Sequence, residues 1–326
     1  MLDTVDILTL LAVPKIGRKT VQSVLDTLTD PPSYTQELRD VLLDAKKKNA
    51  RISIPTTEEL QTAQKKAESI LEASERQGVT VMVPTHSKFP RRLWEIPDPP
   101  VVLYAKGNLD CLFADKSIAV VGAREPTPYG RKCAERFSTL FAEKGFVVVS
   151  GLAKGCDTAV HQGCLSVKGR TVAILAHGLD TVFPTENLKL AQQILDMDGC
   201  LVSEYPIGLP PRRHFVVERD RLQIGLSDAL IVVETDMKGG TMHTAKFCID
   251  QHKPLGCLVH PRKWVAHDKS RGNHHLIREN KAVPLKDASD IENFTTRLSS
   301  HFPNTSKSFA TPKALFRMRG IILSEI

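Results

Sequence analysis

Between residues 101 and 260 the chain repeats one pattern: a short β-branched apolar run, then a longer amphipathic stretch. The runs are Val101–Tyr104, Ser117–Val121, Phe146–Val149, Thr171–Ala176, Cys200–Val202, Ala229–Glu234 and Leu255–His260. Amphipathic segments occupy 129–144, 155–168, 186–197 and 240–252. Continuous apolar strands separated by helices predict a parallel sheet covered on both faces. The expected fold is therefore α/β, a doubly wound, extended Rossmann-like sheet.

The flanks differ in texture. Residues 1–28 read as short helices around a turn holding Pro14 and Gly17, in the manner of a helix-hairpin-helix. Residues 57–77 read as a helix stopped by Gly78, and Thr80–Val83 as a short strand. Residues 286–326 are polar with no strong period and read as a tail. The expected organisation is a helical domain over 1–79, the α/β domain over 80–285 and a short tail over 286–326.

Of 326 residues, 41% are hydrophobic and 25% charged, which is globular usage. No apolar run approaches the roughly 20 residues that span a bilayer. The first ten residues carry two acids and no base, unlike a signal peptide. A cytoplasmic protein away from membranes is expected. Seven cysteines without a CxxC pair are expected to be buried, reduced thiols rather than a disulfide frame or a zinc ribbon. The net charge of +7 is concentrated in residues 81–284, with 27 basic and 21 acidic groups, a balance that suits a polyanionic partner.

In an open α/β sheet, ligands bind beyond the carboxyl ends of the strands. Those ends read Gly122-Ala123-Arg124, Ser150-Gly151-Leu152-Ala153-Lys154-Gly155, His177-Gly178, Ser203-Glu204 and Thr235-Asp236-Met237-Lys238-Gly239-Gly240-Thr241. Glycine admits close approach to the backbone, helix starts attract anions, and arginine or lysine pairs with phosphate oxygens. Five such loops on one crest predict a phosphate-binding edge. Neither GxGxxG nor GxxxxGK[ST] is present, so neither a dinucleotide fold nor a P-loop is indicated. Ser150, Asp157 and His161 lack the GxSxG elbow, and His161 reads as a packing histidine. Pro210–Arg221 interleaves Arg212, Arg213, Arg219 and Arg221 with His214 and Phe215, the arrangement by which proteins pair phosphates and stack bases of single strands.

The order Gly122-Ala123-Arg124, Ser150-Gly151-Leu152-Ala153-Lys154-Gly155-Cys156-Asp157, Gly178-Leu179-Asp180, Ser203-Glu204-Tyr205-Pro206 and Arg219-Asp220-Arg221, over about residues 80–260, resembles the DNA-processing protein A (Smf) family. The resemblance implies a dimeric single-stranded DNA-binding protein, a recombination mediator that protects strands and loads the RecA recombinase. It implies no catalysis and no cofactor. Its site residues fall on Gly122, Arg124, Ser150, Gly151, Gly155, Arg219 and Arg221, with Arg212 ahead of a base-contacting Phe215. Lys154, Gly240 and Thr241 join them on the crest. Val216 and Asp220 depart from the family pattern, as does the loop from Lys238 to Ala245, and no winged helix is recognisable after 286. Two other readings of the same crest stay open: a nucleotide-ligand sensor and a phosphoribohydrolase.

Overall fold

The computed structural model describes residues 2–27, 38–50 and 52–301. The chain begins with helices α1 (Thr4–Ala12), α2 (Arg18–Thr27), α3 (Leu38–Lys48) and α4 (Thr57–Arg76). Local sequence explains their starts. Asp3 caps α1 and Thr56 caps α4, each in a reciprocal box with the acid three residues on, Asp6 and Glu59. Then follow β1 (Thr80–Met82), α5 (Arg91–Trp94), β2 (Leu103–Gly107), β3 (Ser117–Val121), α6 (Pro128–Glu143), β4 (Val147–Ser150), α7 (Cys156–Ser166), β5 (Thr171–Leu175), α8 (Leu188–Asp196) and β6 (Cys200–Ser203). The chain continues through α9 (Arg213–Gly225), β7 (Ala229–Val232), α10 (Thr241–Asp250), β8 (Leu255–Leu258), α11 (Arg271–Arg278), β9 (Val283–Leu285) and α12 (Ala288–His301).

Among the described residues the strands form one sheet, ordered β1-β2-β6-β5-β4-β3-β7-β8-β9. From β6 to β9 every pairing is parallel, as the apolar runs predict. The run beginning at Val101 does not follow that rule. Its strand starts at Leu103 and pairs antiparallel with β6 and with β1, which makes the sheet mixed at that edge.

The alternation of side chains puts Ile118, Val120, Val148, Ile231 and Val233 on one face, under α6, α7 and α12. Ala119, Val121, Leu230 and Val232 face the other way, under Ile224 of α9, Ala245 and Cys248 of α10 and Leu276 of α11. The third cluster is continuous from Leu10 and Val24 through Leu93 and Leu103 to Val149, Ile174 and Val202. Residue 79 therefore marks a change of chain texture, while the packing continues across it. Residues 288–301, part of the expected tail, form α12, which packs on β9 and buries Phe294 and Leu298. Residues 302–326 lie outside the described part. All seven cysteines are free thiols; Cys133 is half-buried and the other six are buried.

Strand β3 is the switch point. The chain runs from it to β4, β5 and β6 on one side and returns to β7, β8 and β9 on the other. Crossovers of opposite sense leave a crevice at the carboxyl ends of β3 and β7.

Candidate functional site

Helix starts around this crevice should hold anions, but the protein sets its own carboxylates in two of the loops that lead into them. After β3, Thr127 caps α6 and Pro128 occupies its first turn. The buried Glu234, which follows β7, accepts hydrogen bonds from Thr127 N (2.8 Å) and Thr127 Oγ1 (2.6 Å). Gly130 has no room for a side chain because the Glu234 carboxylate lies 2.2–2.4 Å from where its Cβ would stand. His260 Nε2 approaches Glu234 Oε1 at 3.3 Å from the far side. The place that a pyrophosphate takes in a dinucleotide fold is thus held by a side chain.

After β4 the pattern repeats. Asp157, in the first turn of α7, accepts from Gly151 N (3.2 Å) and Ala153 N (3.4 Å). Beneath lies Arg219, which donates to the Ile174 carbonyl (2.7 Å) and stands 3.1 Å from Asp220 and 3.9 Å from Asp157. A Cβ on Gly151 would meet this guanidinium within 1.7 Å. Asp220 in turn accepts from Thr244 Oγ1 of α10 at 3.0 Å. Burial pushes the Asp220 carboxyl up to about 6, against the pull of the Arg219 charge. Asp157 is raised for the same reason. Burial also drives His161 down to about 3, with Arg219 adding to the shift. Its Nδ1 meets Thr171 Oγ1 at 2.8 Å, so it is a neutral packing histidine.

These contacts correct several expectations. Arg219 is committed to carbonyl and carboxylate groups inside the protein and does not face outward. Arg221 is 2% exposed and grips both oxygens of Glu204 (2.5 and 2.6 Å), the Asp98 carbonyl (2.8 Å) and the Glu218 carbonyl (2.8 Å). Arg18 of α2 bonds Asp98 from the other side and stands 3.9 Å from Glu204. Burial alone would raise Asp98, but its hydrogen bond to Arg18 and the charges of Arg18 and Arg221 hold it below the usual carboxylate range. Arg221 is therefore a tie between α9 and the N-terminal helices. Ser150 is fully buried and donates to the Val120 carbonyl (2.8 Å), so it offers nothing to a ligand. Gly122 and Gly155 serve close packing: a Cβ would lie 2.5 Å from Cys156 Sγ at the first and 2.3 Å from the Arg124 carbonyl at the second. Gly155 also needs its φ of +83°. The α1–α2 hairpin forms as expected, with Lys15 and Lys19 exposed but Arg18 turned inward.

Two exposed groups remain. The first is the switch-point crevice. Arg124 is exposed, with no carboxylate bonded to it among the described residues, and it lies close enough to Asp220 to act on its titration. Lys238 and Gly240 are exposed on the loop after β7, the strand paired with β3. Helix α10 starts at Thr241 without a side-chain cap; Met242 N and His243 N donate to the Gly239 and Gly240 carbonyls (3.0 and 2.9 Å), which leaves the N–H groups of Gly240 and Thr241 for an anion. The second group is the start of α9. Phe215 stacks on Tyr205 (centroids 3.9 Å apart, 25° between planes), meets His214 edge-on at 4.4 Å and carries the Arg212 guanidinium 5.6 Å from its centroid. Arg212 and Arg213 are exposed. Helices α9 and α10 pack side by side, with Asp220 in the middle of α9 bonded to Thr244 in the first turn of α10. Lys154 lies farther along the crest and is exposed, but it is paired with Glu186. Among the described residues no three His, Cys, Asp or Glu side chains converge as a metal site.

Sheet order, switch point and strand-tip loops define an extended Rossmann-like α/β protein. The chain belongs to the DNA recombination-mediator protein A family, whose model matches residues 80–296. It is 41% identical over 231 residues to protein Smf of Synechocystis, a match covering 67% of this chain and 58% of that protein. It is 35% identical over 186 residues to the DNA processing protein DprA of Bacillus subtilis, covering 57% and 62%. The chain thus spans less than two thirds of the length of these curated relatives. Among solved structures, DprA of Streptococcus pneumoniae superposes with a TM-score of 0.76 at 28% identity, over 90% of this chain and 98% of that one. DprA of Helicobacter pylori, described for its single-stranded DNA binding mode, superposes with a TM-score of 0.60 at 28% identity, over 69% and 97%. Among the described residues no helix is long and apolar enough to cross a membrane.

Proposed function

We propose that this chain is a non-catalytic, cytoplasmic protein that binds single-stranded DNA along the rim from the start of α9 to the start of α10. It acts as a homodimeric recombination mediator, shielding the strand and passing it to a RecA-class recombinase. The observation that carries this reading is the exposed Arg124 after β3, with no carboxylate bonded to it among the described residues, together with the start of α10 after the paired strand β7, which no side chain caps. Arg124, Lys238, Arg212 and Arg213 supply phosphate contacts, the N–H groups around Gly240 and Thr241 a further one, and Phe215 an aromatic surface for a base. The described DNA binding of the Helicobacter pylori relative supports the choice of ligand. The nucleotide-sensor reading finds less support, because Glu234 fills the helix start that would take a nucleotide phosphate.

The test is a titration of a labelled oligonucleotide across a salt series. Wild-type affinity falls with salt, with a log–log slope of about −0.7 per phosphate engaged. Arg124→Ala weakens binding, reduces that slope by about 0.7 and leaves the melting temperature unchanged. Equal binding by Arg124→Ala and wild type, or tighter binding to a mononucleotide than to the strand, would defeat the assignment.

A further inference from the structure

The loop between β8 and α11, residues 259–270, lies outside the rim described above and carries an unusual set of groups. Arg262, Lys263, Lys269 and, just beyond it, Arg271 stand among a single carboxylate, Asp268. Asp268 pairs with Arg271 at 2.8 Å; among the described residues no acid pairs with Arg262, Lys263 or Lys269. Trp264 is half-buried, with the Lys263 ammonium 5.2 Å from its ring and His267 edge-on at 6.0 Å. Val265 is 42% exposed beside it, and Met237 of the neighbouring loop is 43% exposed. By contrast, Trp94 is buried at 5%.

The loop is held firmly. Trp264 N and Val265 N both donate to the Pro261 carbonyl (2.8 and 3.1 Å). Ser270 Oγ reaches the carbonyls of Val265 (2.9 Å) and His267 (2.7 Å). At its end, Gly272 N donates to the Thr235 carbonyl (2.9 Å), and Asn273 ties α11 to Val232, Val233 and Leu258 at the tips of β7 and β8. A side chain at Gly272 would collide with Thr235 and Asp236, so the loop is seated directly against the one that carries Lys238. Fixed cations around a half-open aromatic ring, with apolar neighbours, suit a sugar–phosphate chain with unpaired bases.

We infer that the β8–α11 loop is a second contact for single-stranded DNA, continuing the path from Lys238, with Arg262, Lys263 and Lys269 on phosphates and Trp264 under a base. This rests on the strand-binding reading above. The test therefore uses two oligothymidylates on the full chain, one of about 6 nucleotides that fills the switch-point rim and one of about 16 that reaches the loop. Arg262→Ala with Lys263→Ala should lower affinity for the longer strand and reduce its salt slope by about 1.4, two phosphates' worth, leaving the shorter unaffected. Trp264→Ala should cost the longer strand about 5- to 100-fold, and the longer strand alone should quench Trp264 fluorescence, a signal absent in Trp264→Phe. If the shorter strand does not bind wild type, the strand-binding reading itself fails. If it binds, and the variants treat both strands alike or the longer strand leaves Trp264 unquenched, the second contact is refuted.

Discussion

Truncating Arg221 separates a ligand-binding arginine from a structural one. In Arg221→Ala the Glu204 carboxylate, with its side chain 7% exposed, loses two short hydrogen bonds and, among the described residues, keeps only Arg18 Nε at 3.9 Å as a neighbouring cation. The Asp98 and Glu218 carbonyls lose a donor as well. A buried carboxylate left without its partner is destabilising by about 3–5 kcal/mol, far more than a surface pair. In a protein of this size each kcal/mol lowers the melting temperature by about 2–4 °C, so a fall of roughly 6–20 °C is expected. Urea denaturation should show a lower midpoint with an unchanged slope. Adding Glu204→Leu, which removes the orphaned charge, should recover most of the loss. Below its melting range, Arg221→Ala should bind an oligonucleotide like wild type. A variant that melts within about 2 °C of wild type yet loses tenfold in strand affinity would refute the argument and return Arg221 to the ligand.

Further predictions concern the network under the rim. The Asp220 carboxyl is raised to about 6 in the folded chain, so between about pH 4 and 6 the folded state binds more protons than the unfolded one, and this group's contribution falls as pH rises. Asp220→Asn should therefore gain on wild type across that window in urea titrations. His161 has the opposite sign: with its folded pKa lowered to about 3, the stability it allows is present above about pH 6.5 and is lost as pH falls toward 3. His161→Leu should flatten that acid limb. At the α6–α7 contact, a Cβ on Gly163 would lie 2.3 Å from the Glu135 carbonyl oxygen, so Gly163→Ala should be destabilising by about 1–3 kcal/mol in chemical denaturation.

The strands were legible because burial on both faces leaves an unbroken β-branched run, as in Ile118–Val121 and Leu230–Val233. Helix α9 was not, because its inward side carries Arg219, Asp220 and Gln223, all buried, and so shows no apolar period. Helix α12 does carry a period, Ile291, Phe294 and Leu298, masked by polar neighbours. The rim was legible as a set of strand-end loops. Which arginine faces outward was not: apart from Asp220, the carboxylates that hold Arg219 and Arg221 inside, namely Asp157, Glu204 and Asp98, stand well apart from them in sequence and meet them only in the fold. The basic loop after β8 could have been found from its four cations and one tryptophan in ten residues.

Glu234 gives this architecture a particular bias. A Rossmann-type fold ordinarily greets small phosphorylated molecules at the helix following its switch-point strand; here that doorway is bolted from within by a permanent tenant. On the proposed reading, what is left for a guest is the outside of the threshold. A guest held there gains from many separate grips, which favours a long polymer over a compact metabolite gripped at one point.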